Sequence, residues 1–129
     1  MVEYATLFLT HTIGIPLQGT QLVEFITEQL EDMKAKDIVV LDVAKLSPMA
    51  DNIIVCTGTS ARHCRAVANN LLVEAKKAEM PPLGIEGLKE GGWVLLDMND
   101  VIVHVMDQEH RDLFRLEQLW GGDSKHLNS

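Results

Sequence analysis

The stretch WVLLDMNDVIVHVM, residues 93–106, decides the fold. Two runs rich in aliphatic and β-branched residues flank Asn99 and Asp100, residue types that build tight turns. The pattern predicts a β-hairpin with strands at 93–97 and 101–105. Successive side chains of a strand point to opposite faces. With a two-residue turn, Trp93, Leu95, Asp97, Ile102, His104 and Met106 therefore share one face. The other face, Val94, Leu96, Val101, Val103 and Val105, is purely aliphatic and is the expected core side. A three-residue turn would reverse the pairing.

The flanks extend this pattern in both directions. Residues 81–92 are rich in Gly and Pro and read as a loop, with a short edge strand at 83–86. Residues 107–120 are helix-compatible and stop at Gly121 and Gly122. Upstream, Leu22, Phe25, Ile26, Leu30 and Met33 recur at spacings of three and four and predict a helix over 20–36. The dense aliphatic runs at 38–43 and 52–58 predict strands buried on both faces. Between 58 and 80, Thr59 or Ser60 can cap a helix with apolar positions Cys64, Val67, Ala68, Leu71, Leu72, Ala75 and Ala78, ended by Pro81-Pro82. The order helix, strand, strand, helix, strand, strand, helix predicts an α/β (α+β) single domain, a mixed β-sheet flanked by helices. The expected divisions are an N-terminal extension at 1–17 without an assigned role, the domain at 18–122 and a C-terminal tail at 123–129.

Composition narrows the function classes. At 129 residues and 47% hydrophobic content the chain can bury one core. A net charge of −8 argues against direct grip on a phosphate backbone as the main activity, which needs clustered Lys and Arg, and no direct sequence-specific nucleic-acid binding is expected. Residues 86–120 hold eight acids against Lys89, Arg111 and Arg115, a formal −5 that suits a basic protein partner. Cys56 and Cys64 lack metal-ligand spacing and read as reduced thiols of a cytoplasmic protein. No run of about 18 apolar residues points to a membrane, and residues 1–15 lack the basic start of a signal peptide.

Catalysis finds little support in the residues. Asp97, Asp100, His104, Asp107 and His110 are metal-ligand types, but His104 on a strand and Asp107 and His110 beyond its end do not share a helical face as zinc-binding pairs do. No metal and no cofactor are expected. TGTSARH, residues 57–63, superficially resembles the turn that opens a nucleotidyltransferase site. The carboxylates that such an enzyme needs one residue apart are lacking, because Asp97 is followed two positions on by Asn99. Ser60 with His63 has no nucleophile elbow, and Cys56 lies in an apolar strand.

DIVVLDV at 37–43, ADNIIVCTGTSARH at 50–63, PLGIEG at 82–87, GGWVLLDMNDVIVHVM at 91–106 and RDLFRLEQLW at 111–120 together closely resemble the iojap family, the ribosomal silencing factors, from about Leu17 to Trp120. The resemblance implies a nucleotidyltransferase-like topology without catalytic acids, and a regulator rather than an enzyme. It implies binding to the large ribosomal subunit through large-subunit protein fourteen, which blocks joining to the small subunit and represses translation under nutrient limitation. The family's hairpin Trp, Asp and His fall on Trp93, Asp97 and His104, and its closing Arg, Leu, Glu and Trp on Arg111, Leu116, Glu117 and Trp120. Phe114 stands where the family usually has Tyr, so a hydrogen bond from that hydroxyl is absent. These residues form the expected ribosomal-protein-binding site; the alternative is a nucleotide-binding or nucleotidyltransferase-like enzyme. An apolar docking face can also pair with a second copy of the chain, so a homodimer in the free state is a further hypothesis.

Overall fold

The aliphatic side of the hairpin needs a cover, and the amphipathic segments upstream supply it. The structure, a computed structural model, describes residue 17, residues 19–115 and the backbone of residues 124–128. In chain order the elements are helix α1 (Gly19–Asp32), strands β1 (Lys36–Asp42) and β2 (Asn52–Thr57), helix α2 (Ala61–Lys77), strands β3 (Gly84–Glu86), β4 (Trp93–Asp97) and β5 (Val101–Met106), helix α3 (Gln108–Phe114) and strand β6 (Ser124–Asn128). The six strands form one sheet in the order β3-β4-β5-β2-β1-β6. β2 and β5 run parallel at its centre, and every other neighbouring pair is antiparallel.

Both large helices pack on one face of this sheet. Leu22, Phe25, Ile26 and Leu30 of α1 and Cys64, Val67, Ala68, Leu71 and Ala75 of α2 join Ile38, Ile54, Cys56 and the five aliphatic residues of the hairpin in a single buried cluster. A smaller cluster of Val39, Leu41, Val43, Ile53 and Val55, with Ile102 against it, occupies the opposite face. β2 is thus buried on both sides, as its unbroken aliphatic run predicts, whereas β5, read from the sequence as a hairpin strand with one core face, is also largely buried on its second face through His104 and Met106.

The helices stop earlier than periodicity alone suggests. α1 ends at Asp32 rather than near Lys36 because Lys34 turns left-handed (φ 63°). The Lys34 N–H donates to the Glu31 carbonyl at 2.9 Å and the Ala35 N–H to the Leu30 carbonyl at 3.1 Å. That pair of bonds is a Schellman cap, here without the usual glycine. α2 ends the same way, with Glu79 at φ 56° and the Met80 N–H donating to the Ala75 carbonyl at 2.7 Å. α3 is expected to run to Trp120 but ends at Phe114, where Arg115 takes a left-handed conformation (φ 45°, ψ 51°). Ser124–Asn128, read from the sequence as tail, lies on the outer edge of β1 as β6. Edge pairing uses main-chain groups, so SKHLN needs no strand-like side-chain pattern to form it.

Candidate functional site: an aromatic cluster on the open face of the hairpin

The turn sets the geometry. Asn99 adopts φ 77°, and the Met98 N–H donates to the Val101 carbonyl at 2.8 Å, which closes a two-residue turn over Asn99 and Asp100. The register that follows places Trp93 opposite Met106, Leu95 opposite His104 and Asp97 opposite Ile102, the predicted parity. Asp97 Oδ1 accepts a hydrogen bond from the Asn99 N–H at 2.9 Å, so this carboxylate braces the turn.

On the open face, the Trp93 indole Nε1–H donates to His104 Nδ1 at 2.9 Å, with ring centroids 5.8 Å apart. An indole nitrogen only donates, so the bond assigns the proton of the neutral imidazole to Nε2. His104 is only 8% exposed, and burial pushes its pKa down to about 4, which keeps the ring neutral and Nδ1 free to accept.

Beyond the strand end, Asp107 caps α3. Its Oδ1 accepts from the His110 N–H at 2.9 Å and from the His110 ring Nδ1 at 2.7 Å. Burial alone would push the Asp107 carboxyl up; the His110 hydrogen bonds and ring charge outweigh it and hold the group below its ordinary value. Four positions on, Phe114 lies nearly parallel to the His110 ring at 6.2 Å and only 4.5 Å from Trp93. Gly92 makes room for this arrangement, since a Cβ there would lie 2.8 Å from His110 Cε1. Phe114 remains 42% exposed and Leu113 71%.

Arg111 occupies a different place from its expected partners. It is 7% exposed, and its Nη1 donates to the Asp37 carbonyl at 2.6 Å and the Thr57 hydroxyl at 2.8 Å. Asp37 is left-handed (φ 49°) within an irregularity of β1, which helps to present its carbonyl to Arg111. Arg111 therefore ties the short helix α3 to the ends of β1 and β2. Of the remaining expected site residues, Leu116, Glu117 and Trp120 lie outside the described residues. His110 joins the cluster without having been expected there, and Leu113 is exposed one position before Phe114. The His110 signal was present in the sequence as the residue three after the capping Asp107 and four before Phe114.

The other chemical candidates resolve into structural roles. Ser60 is the N-cap of α2 and accepts from the His63 N–H at 3.0 Å. His63 Nδ1 accepts from the Thr59 N–H at 2.9 Å, so its Nε2–H donates to the Met33 carbonyl at 2.7 Å, joining the start of α2 to the end of α1. Burial pushes the Cys56 thiol up to about 12 and raises that of Cys64. Among the described residues no three His, Cys, Asp or Glu side chains are grouped to hold a metal ion, and no helix is long and apolar enough to cross a membrane. A groove of about 390 Å³, lined by residues including Leu22, Met80, Leu83 and Met98, shares no lining residue with the Trp93 cluster.

Known proteins share both sequence and fold with this chain. Residues 16–129 match the family described as ribosomal silencing factor during starvation. The chain is 44% identical over 99 residues to the ribosomal silencing factor of Haemophilus influenzae, covering 77% of this chain and 97% of that protein. Over 95 residues it is 47% identical to the ribosomal silencing factor of Chromobacterium violaceum, covering 74% of this chain and 78% of that one. A crystal structure of a Chromobacterium violaceum protein superposes with a TM-score of 0.80 at 42% identity, covering 83% of this chain and 89% of its own. With the family match spanning the hairpin, the aromatic cluster and both large helices, the chain belongs to the ribosomal silencing factor family.

Proposed function

We propose that this chain represses translation by docking on the large ribosomal subunit through large-subunit protein fourteen, so that its bulk blocks the small subunit from joining, above all when nutrients are short. The action is steric and needs no catalysis. The observation that carries this reading is the half-buried Trp93, pinned by His104 and flanked by Phe114 on a sheet face that the two large helices leave open. Tryptophan is enriched at interface centres because it buries a large rigid area at little entropic cost.

The charge around the cluster supports a basic protein partner. Glu109 and Asp112 are exposed on α3 beside the aromatic cluster, and Asp97 lies on the same hairpin face as Trp93. Such acids speed encounter with a basic protein and make it salt-sensitive. Asp97, whose Oδ1 braces the turn, contributes charge rather than metal-assisted chemistry.

Co-sedimentation with isolated ribosomal subunits tests the proposal. The protein is expected to pellet with large subunits and not with small ones, and added salt is expected to weaken the complex. Failure to pellet with large subunits at saturating protein and low salt overturns it.

A further inference from the structure

We propose that His104 is a positioning residue for docking: it holds the Trp93 indole in the orientation that the partner meets and makes no contact with the partner itself. This rests on the reading of the Trp93 face as the docking surface.

Three observations carry the inference. First, the indole N–H has its partner within the chain, 2.9 Å away at His104 Nδ1, so its direction is set before any partner arrives. Second, the two residues fall on different sides of the surface. His104 is 8% exposed and buried beneath the surface, whereas Trp93 is half-buried. A docking protein meets the indole and not the imidazole. Third, Phe114 packs at 4.5 Å with its ring tilted 44° to the indole, so the hydrogen bond and the ring contact restrain Trp93 together. A side chain already held in its bound rotamer loses less freedom on association. His104 needs only an acceptor at one position to do this.

The chemistry suggests a matched pair of variants. In Asn the Oδ1 atom occupies the place of the histidine Nδ1, whereas Leu has nearly the same shape with no acceptor. His104→Leu is expected to move the Trp93 indole proton resonance upfield, to speed its exchange with solvent, and to weaken large-subunit binding about fivefold to tenfold, the worth of one hydrogen bond. His104→Asn is expected to retain the resonance and to bind within about twofold of the unaltered protein, a rescue that packing alone would not give. The resonance is assigned by its loss in Trp93→Phe, because the chain holds a second tryptophan, Trp120.

Each contrary outcome is specific. A folded His104→Leu that binds like the unaltered protein, while Trp93→Ala binds weakly, overturns the positioning role and leaves the docking surface standing. Equal weakening by Leu and Asn overturns it in favour of direct contact or packing. Normal binding by Trp93→Ala overturns the docking reading, and this proposal with it. Should the Leu variant not fold, the unaltered protein still decides: a Trp93 indole as mobile and solvent-exchanged as free tryptophan overturns the proposal.

Discussion

The two faces of the β4–β5 hairpin come from one stretch of sequence and are built on different physics. On the helix-covered face, Val94, Leu96, Val103 and Val105 are fully buried and fill volume under α1 and α2. On the open face, Trp93, Leu95, Asp97 and Ile102 are half-buried beside buried His104 and Met106, and the Trp93 N–H and one Asp97 carboxylate oxygen are committed to His104 and the turn. The first face is held by apolar area, which is non-directional. The second adds directional bonds, which fix where Trp93, His104 and Asp97 point, to apolar contacts such as that of Ile102 with the smaller cluster. Substitutions on the covered face are therefore expected to cost stability. Exposed positions on the open side are expected to affect binding with the fold intact.

The largest expected effect tests the covered face. Leu96→Ala removes a fully buried side chain and is expected to cost about 3 kcal/mol in denaturant unfolding; a loss below about 1 kcal/mol would show that the face is not packed against the helices. Next comes the buried histidine of the other face. The unfolded chain protonates His104 near its ordinary pKa of 6.5, whereas burial holds the folded value at about 4. Between these values the unfolded state binds more protons, so stability is full above the window and falls as the pH drops through it, by about 3 kcal/mol at its foot. Unfolding curves of the unaltered protein and His104→Asn compared across that range isolate the contribution, and parallel pH profiles would contradict it.

Smaller effects separate α3's anchor from its surface. Arg111→Leu leaves the buried Thr57 hydroxyl without its donor and is expected to cost about 2 kcal/mol of stability. An Arg111 variant that keeps its stability and loses only binding would place that residue at the interface instead. Leu113→Ser is the reverse case: with 71% exposure it is expected to change stability by less than about 0.5 kcal/mol, while lowering large-subunit binding severalfold in the same co-sedimentation assay.

The hairpin was legible from sequence because its information is local. Alternation, the Asn99-Asp100 turn and opposite parity sufficed to place Trp93, Asp97 and His104 on one face. The amphipathic stripes of α1 and α2 were legible for the same reason, with the period set by the helix itself. Arg111 was not, since an arginine in a helix with acidic neighbours reads as surface. What buries it is the Asp37 carbonyl and the Thr57 hydroxyl, partners 74 and 54 positions away. The helix ends were blurred because Lys34, Glu79 and Arg115 take left-handed conformations that sequence rules reserve for glycine. β6 was illegible because main-chain pairing to β1 leaves no mark in side-chain alternation.

Subunit joining is the most direct test of the central claim. Large subunits are incubated with increasing amounts of the protein, small subunits are added, and whole ribosomes are resolved on a gradient. The unaltered protein is expected to abolish joining at saturation, and Trp93→Ala, which removes the aromatic anchor, to require at least about tenfold more protein. Normal joining at saturating unaltered protein, or equal inhibition by Trp93→Ala, would contradict the account.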